Sequence, residues 1–123
     1  MLDNIKINHE EDLIKTTVTG ILDLAVSKQA LFGIATEVEQ SGEYRILIDL
    51  RQVETMPSVG DFFELGISLA SYPALRRSKI VLLTSISEAE NARFFENVAV
   101  NRGVRLKAFT NIEEAIAWLV KGK

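Results

Sequence analysis

The chain has 123 residues, enough for one domain and too few for two. Its 14 basic and 17 acidic side chains leave a net charge of -3, which speaks against broad attraction to nucleic acid or to an anionic membrane. It has no cysteine, so disulfides, thiolate metal sites and cysteine nucleophiles are excluded, and the 47% apolar content supplies a core without them.

Residues 1–12 carry neither a basic start nor an apolar run, so no signal peptide is expected. The longest apolar run falls far short of the ~20 residues of a spanning helix, and a cytoplasmic protein with no membrane insertion is expected. Leu2 to Ile7 alternates weakly. The polar cluster Asn8-His9-Glu10-Glu11-Asp12 then reads as a turn, and Leu13 to Thr19 is rich in β-branched residues up to Gly20. The two runs predict a β-hairpin. Asp23 is placed to cap a helix over Leu24 to Gln40, whose apolar positions Val26, Ala30, Ile34 and Val38 repeat every four residues. Ser41-Gly42 stops it.

Tyr44 to Leu50 holds the unbroken run Ile46-Leu47-Ile48, the pattern of a strand buried on both faces. A helix over Val59 to Tyr72 follows, ended by Pro73. Lys79 to Thr84 predicts a second such strand, Ser87 to Asn101 a helix, Val104 to Phe109 a third buried strand, and Asn111 to Val120 the last helix. Ser58 with Asp61, Ser87 with Glu90 and Thr110 with Glu113 each have the spacing of a capping box. The order is ββαβαβαβα. It predicts a single α/β domain over residues 1–123, with a mainly parallel sheet, an N-terminal β-hairpin and four helices.

Chemistry is sparse. His9 is the one histidine, so neither a histidine triad nor a two-histidine metal site can be assembled, and it is expected as a solvated turn residue. No glycine loop for phosphates is present. No enzyme activity, metal or cofactor is expected. Asp49 ends a buried strand, where open parallel sheets bind ligands, and Arg51 projects to the same side. A local ion pair is the plainer reading of the two. The basic residues Arg76, Arg77, Lys79, Arg102, Arg105 and Lys107 surround the last two strands without interleaved aromatics, so nucleic-acid binding is not expected.

The helix over Val59 to Tyr72 departs from an ordinary surface pattern. Asp61, Glu64, Ser68 and Ser71 form a narrow polar stripe, while Val59, Phe62, Phe63, Leu65, Ile67, Leu69 and Ala70 fill the rest. Such a helix either packs deeply between the sheet and a neighbour, or presents an interaction or ligand surface. Phe63 and Ile67, one turn apart, are the expected core of a homodimer contact.

Three segments carry a resemblance: Tyr44 to Arg51, Met56-Pro57-Ser58-Val59-Gly60, and Ala108 to Leu119 with its Phe109, Glu113-Glu114-Ala115 and Trp118-Leu119. Together they resemble the bacterial SpoIIAA-like proteins, also described as STAS/SEC14-like domains, over essentially the whole chain. The resemblance implies a SpoIIAA-like (STAS-like) fold. It also implies a non-catalytic regulatory or protein-interaction module of the anti-sigma-factor-antagonist kind, in which a switch serine is phosphorylated by a partner kinase. Ser58 is the nearest counterpart of that phosphoswitch. The antagonists carry Asp-Ser-Ser/Thr-Gly there, and this chain has Met56-Pro57-Ser58-Val59. The alternative that the resemblance implies is SEC14-like binding of a lipid or other apolar ligand. This chain lacks the long helical extension that gates SEC14-like sites.

Overall fold

The structure, a computed structural model, describes residues 4–10 and 12–121. Among them the chain forms strands β1 (Ile5–Glu10), β2 (Leu13–Ile21), β3 (Arg45–Thr55), β4 (Lys79–Leu83) and β5 (Arg105–Phe109), with helices α1 (Leu24–Ser41), α2 (Val59–Ala70), α3 (Pro73–Arg76), α4 (Ala89–Asn101) and α5 (Ile112–Val120). The strands lie side by side in sequence order in one sheet. β1 runs antiparallel to β2, and the β2–β3, β3–β4 and β4–β5 pairs are parallel.

Consecutive parallel crossovers of the same hand place their helices on the same side of a sheet. α1, α2 and α4 accordingly cover one face, against Ile14, Val18, Ile46, Ile48, Ile80, Leu82 and Leu106. α5 follows the last strand and takes the other face, setting Ala115 and Leu119 on Leu47, Val81 and Leu83. Ile46 to Ile48 and Val81 to Leu83 are thus buried on both sides, as their unbroken apolar runs require.

Gly42 closes α1 at φ 75°, a left-handed conformation that costs glycine little, and its N–H reaches the Val38 carbonyl. Asp23 caps the other end, its side chain accepting from the Val26 amide. α2 and α4 approach closely because Gly66 has no side chain: a Cβ there would collide with Val98.

Several expectations are corrected. The Leu2 start of the first strand lies outside the described residues. His9 belongs to β1, not to a turn, because the hairpin closes later, with Glu10 opposite Leu13. β2 runs through Gly20 to Ile21, with register shifts against β3 on either side of Gly20. β3 does not end near Leu50 but continues to Thr55, because β2 runs beside it as far as Ile21, which lies opposite Thr55. β5 is not buried on both faces: it is the edge strand, and Arg105 and Lys107 are exposed while Leu106 is buried. α2 stops at Ala70, and Pro73 starts the separate helix α3, where its missing N–H costs nothing. Ser87 caps no helix. It lies in a 3-10 turn, Ile86–Glu88, with its hydroxyl on that of Ser85. Asn111, not Thr110, caps α5 and accepts from the Glu114 amide at 2.9 Å.

Candidate functional site

α2 starts where the long β3 runs out and the chain turns back through Met56 and Pro57. Ser58 is exposed, and its Oγ accepts the Asp61 amide at 3.2 Å, so it caps the helix. Val59, Phe63 and Ile67 follow at four-residue spacing and form one outward stripe, with 56%, 48% and 43% of their surfaces exposed. Phe62, one residue away, turns inward and packs on Phe95 at 5.7 Å between ring centres. The wide apolar arc of the helix therefore divides into a core half and an exposed half.

Two ties hold this stripe in place. Lys28 of α1 pairs with Glu64 at 2.6 Å, and the Arg102 guanidinium at the end of α4 lies 5.4 Å from the Phe63 ring centre. Three other basic residues also sit over aromatic rings: Arg77 over Tyr44, Lys79 over Trp118 and Lys107 over Phe109. The Arg77–Tyr44 and Lys79–Trp118 pairs join segments far apart in sequence, whereas Lys107 and Phe109 are two residues apart on β5. The Lys79 ammonium has a lowered pKa. Burial is the main cause, and Arg105, Arg45 and Lys121 add like charge.

Asp49 and Arg51 stand elsewhere. Side chains alternate along a strand, so Asp49 shares the α5 side of the sheet with Leu47, opposite the layer that contains α2. Asp49 is 7% exposed, and Arg51 closes on it with two side-chain hydrogen bonds, of 3.1 and 2.9 Å. Burial alone would raise the Asp49 pKa. The side-chain and backbone hydrogen bonds from Arg51 and the charges of Arg51 and Lys15 outweigh it and hold the carboxyl below its ordinary range. Asp49 lies mid-strand and its oxygens already have partners. The structure thus brings Ser58, Val59, Phe63 and Ile67 together and separates Asp49 and Arg51 from them.

Beneath the start of α2 lies an apolar cavity of about 60 Å³, lined by Val18, Ile48, Leu31, Phe62 and Phe95 among others, and by Pro57. The Ser27 hydroxyl reaches it from α1 and has no hydrogen-bond partner among the described residues. Among the described residues no group of three His, Asp or Glu side chains converges as a metal site would need, and no helix is long and apolar enough to cross a membrane.

No protein-family model and no curated protein sequence matches the chain. Solved structures do. The anti-sigma factor antagonist SpoIIAA in its unphosphorylated form is similar with a TM-score of 0.60 and 16% identity, over 97% of this chain and 99% of that one. The phosphorylated form of the Bacillus cell fate determinant SpoIIAA gives 0.54 and 18%, over 93% and 97%. An uncharacterized protein from Shewanella loihica gives 0.54 and 17%, over 94% and 91%. The chain has the SpoIIAA-like fold.

Proposed function

We propose that the protein is a non-catalytic, cytoplasmic regulatory module that binds a partner protein through the exposed stripe of α2, with Ser58 as its phosphoswitch. The observation that carries this reading is the placement of an exposed serine hydroxyl at a helix start, one residue before the apolar stripe of Val59, Phe63 and Ile67. A phosphate on Ser58 would meet the positive end of the α2 dipole, which favours it, while Asp61 opposes it. The added charge would lie at the edge of an apolar contact surface and weaken it. Likeness in fold to an antagonist seen in phosphorylated and unphosphorylated forms supports the reading. A regulatory kinase is the partner that such a switch requires.

A C2 interface would pair the same stripe with itself, so a homodimer through Phe63 and Ile67 belongs to the proposal. Phe63→Glu is the central test. It should abolish dimer sedimentation and partner capture while leaving the fold intact, and Ser58→Asp should reduce capture. Capture that survives both substitutions at wild-type strength refutes the assignment.

A second reading, carriage of an apolar small molecule, rests on the cavity and the unpartnered Ser27 hydroxyl. Its size restricts the occupant to a few heavy atoms, since sites for drug-sized ligands run to roughly 300–1,000 Å³. An apolar molecule of a few heavy atoms released on denaturation, seen by mass spectrometry, would favour this reading over the first.

A further inference from the structure

Beyond the carboxyl ends of the last two strands, the chain leaves β4 at Thr84 and β5 at Thr110. Between these exits lies a hollow of about 370 Å³ that is distinct from the cavity under α2. In open parallel sheets the space beyond the strand carboxyl ends is where ligands are bound, because several chain segments diverge there. Thr84 is 1% exposed, lines this hollow, and its Oγ1 has no hydrogen-bond partner among the described residues. A buried hydroxyl is seldom left unsatisfied, so a donor of this kind calls for an acceptor.

The charges around it are consistent with one. Arg93 of α4 and Lys107 of β5 both line the hollow, are exposed, and make no ion pair among the described residues. Ala89, the first residue of α4, lines the hollow, so the positive end of that helix borders it, with Glu90 in the first turn offsetting part of that charge. Glu114 is the one acidic side chain on the rim. Ile86, 82% exposed, and Phe109 give the hollow an apolar wall.

We propose that this hollow binds a small phosphate monoester, with its phosphate held by Arg93, Lys107 and the Thr84 hydroxyl and its organic part against Ile86 and Phe109. Two cations and a neutral donor suit a dianion better than a monoanion. A guanidinium also matches phosphate oxygens in bidentate geometry. Glu114 weakens the site and keeps its affinity modest.

The test is a titration of the whole chain with phenyl phosphate, followed by amide NMR signals of Thr84, Lys107 and Thr110. Benzoate serves as a comparator with the same ring and a carboxylate head. Saturable shifts at these amides are expected, with phenyl phosphate bound about tenfold more tightly than benzoate. Arg93→Gln should weaken binding about tenfold and Thr84→Val several-fold, while Glu114→Gln should tighten it. Thr84→Val keeps the shape and removes an unpaired hydroxyl, so it stays folded, and Lys107→Gln at the open edge gives a second charge variant. No saturable shift overturns the proposal. So does benzoate binding as tightly as phenyl phosphate, or wild-type affinity in Arg93→Gln or Lys107→Gln. Because no residue of α2 lines the hollow, loss of partner capture on α2 leaves this result unaffected.

Discussion

Arg51 grips Asp49 from two positions further along the same strand, with its Nε donating to Oδ1 at 3.1 Å, its Nη2 donating to Oδ2 at 2.9 Å, and its own backbone amide donating to Oδ1 at 3.0 Å. The carboxylate is nearly buried, while Arg51 is 41% exposed in its side chain. The arginine thus compensates a nearly buried charge in mid-strand. The folded carboxyl is more acidic than the unfolded one, whose ordinary value is about 3.9, so the folded state holds fewer protons there. Its contribution is complete above that value and fades as pH falls through the lower folded value. Asp49→Asn should cost roughly 1–2 kcal/mol near neutral pH, a figure reduced by solvent screening of Arg51. The gap to wild type should narrow at about pH 3. Urea denaturation at both pH values checks this, and an equal gap at both counts against it.

Ser58→Ala removes the acceptor for the Asp61 amide and should lower stability by about 1 kcal/mol. Ser58→Asp keeps a capping oxygen and should match wild type in thermal denaturation. A Ser58→Asp protein that is as unstable as Ser58→Ala would mean that the cap is not what the hydroxyl supplies.

Gly66→Ala should destabilise despite the better helix propensity of alanine. The gain is about 1 kcal/mol in a helix interior, whereas forcing a methyl into a packed core costs typically about 1–3 kcal/mol. The new methyl would strike Val98, so the double variant Gly66→Ala with Val98→Ala should recover much of the loss. Additive effects of the two substitutions would contradict this packing.

Ser27→Ala should raise stability by about 1 kcal/mol, because it deletes a buried hydroxyl without a partner and installs the best helix former. A lower denaturation midpoint would mean that the hydroxyl is satisfied in solution.

The sequence carried the order of elements well, because the signals were local. Unbroken runs at Ile46 and Val81 marked doubly covered strands, and Asp23, Ser58 and Gly42 marked helix ends. Errors arose where a neighbour decided the outcome. β5 read as buried because Val104, Leu106 and Phe109 are apolar, yet among the described residues no strand pairs beyond it, and Arg105 and Lys107 reach solvent. Asp49 read as a strand end, yet β3 continues beside β2 to Thr55, with Arg51 hydrogen-bonded to the Asp49 carboxylate. At the candidate site, the exposed stripe and the Ser58 cap were readable from spacing on one helix. The Phe62 contact with Phe95 was not. The hollow around Thr84, Arg93 and Lys107 was invisible, since its walls come from separate segments that only the fold brings together.

Both margins of the sheet carry charge. β5 shows Arg105 and Lys107, and β1 shows Lys6 and Glu10, all exposed. Such side chains obstruct the addition of a foreign strand, because their ammonium, guanidinium and carboxylate groups would have to shed water against an incoming backbone. Fibrous stacking and sheet-to-sheet dimers are thereby disfavoured. Association through the helices and loops is thus favoured over pairing by main chain at the sheet margins.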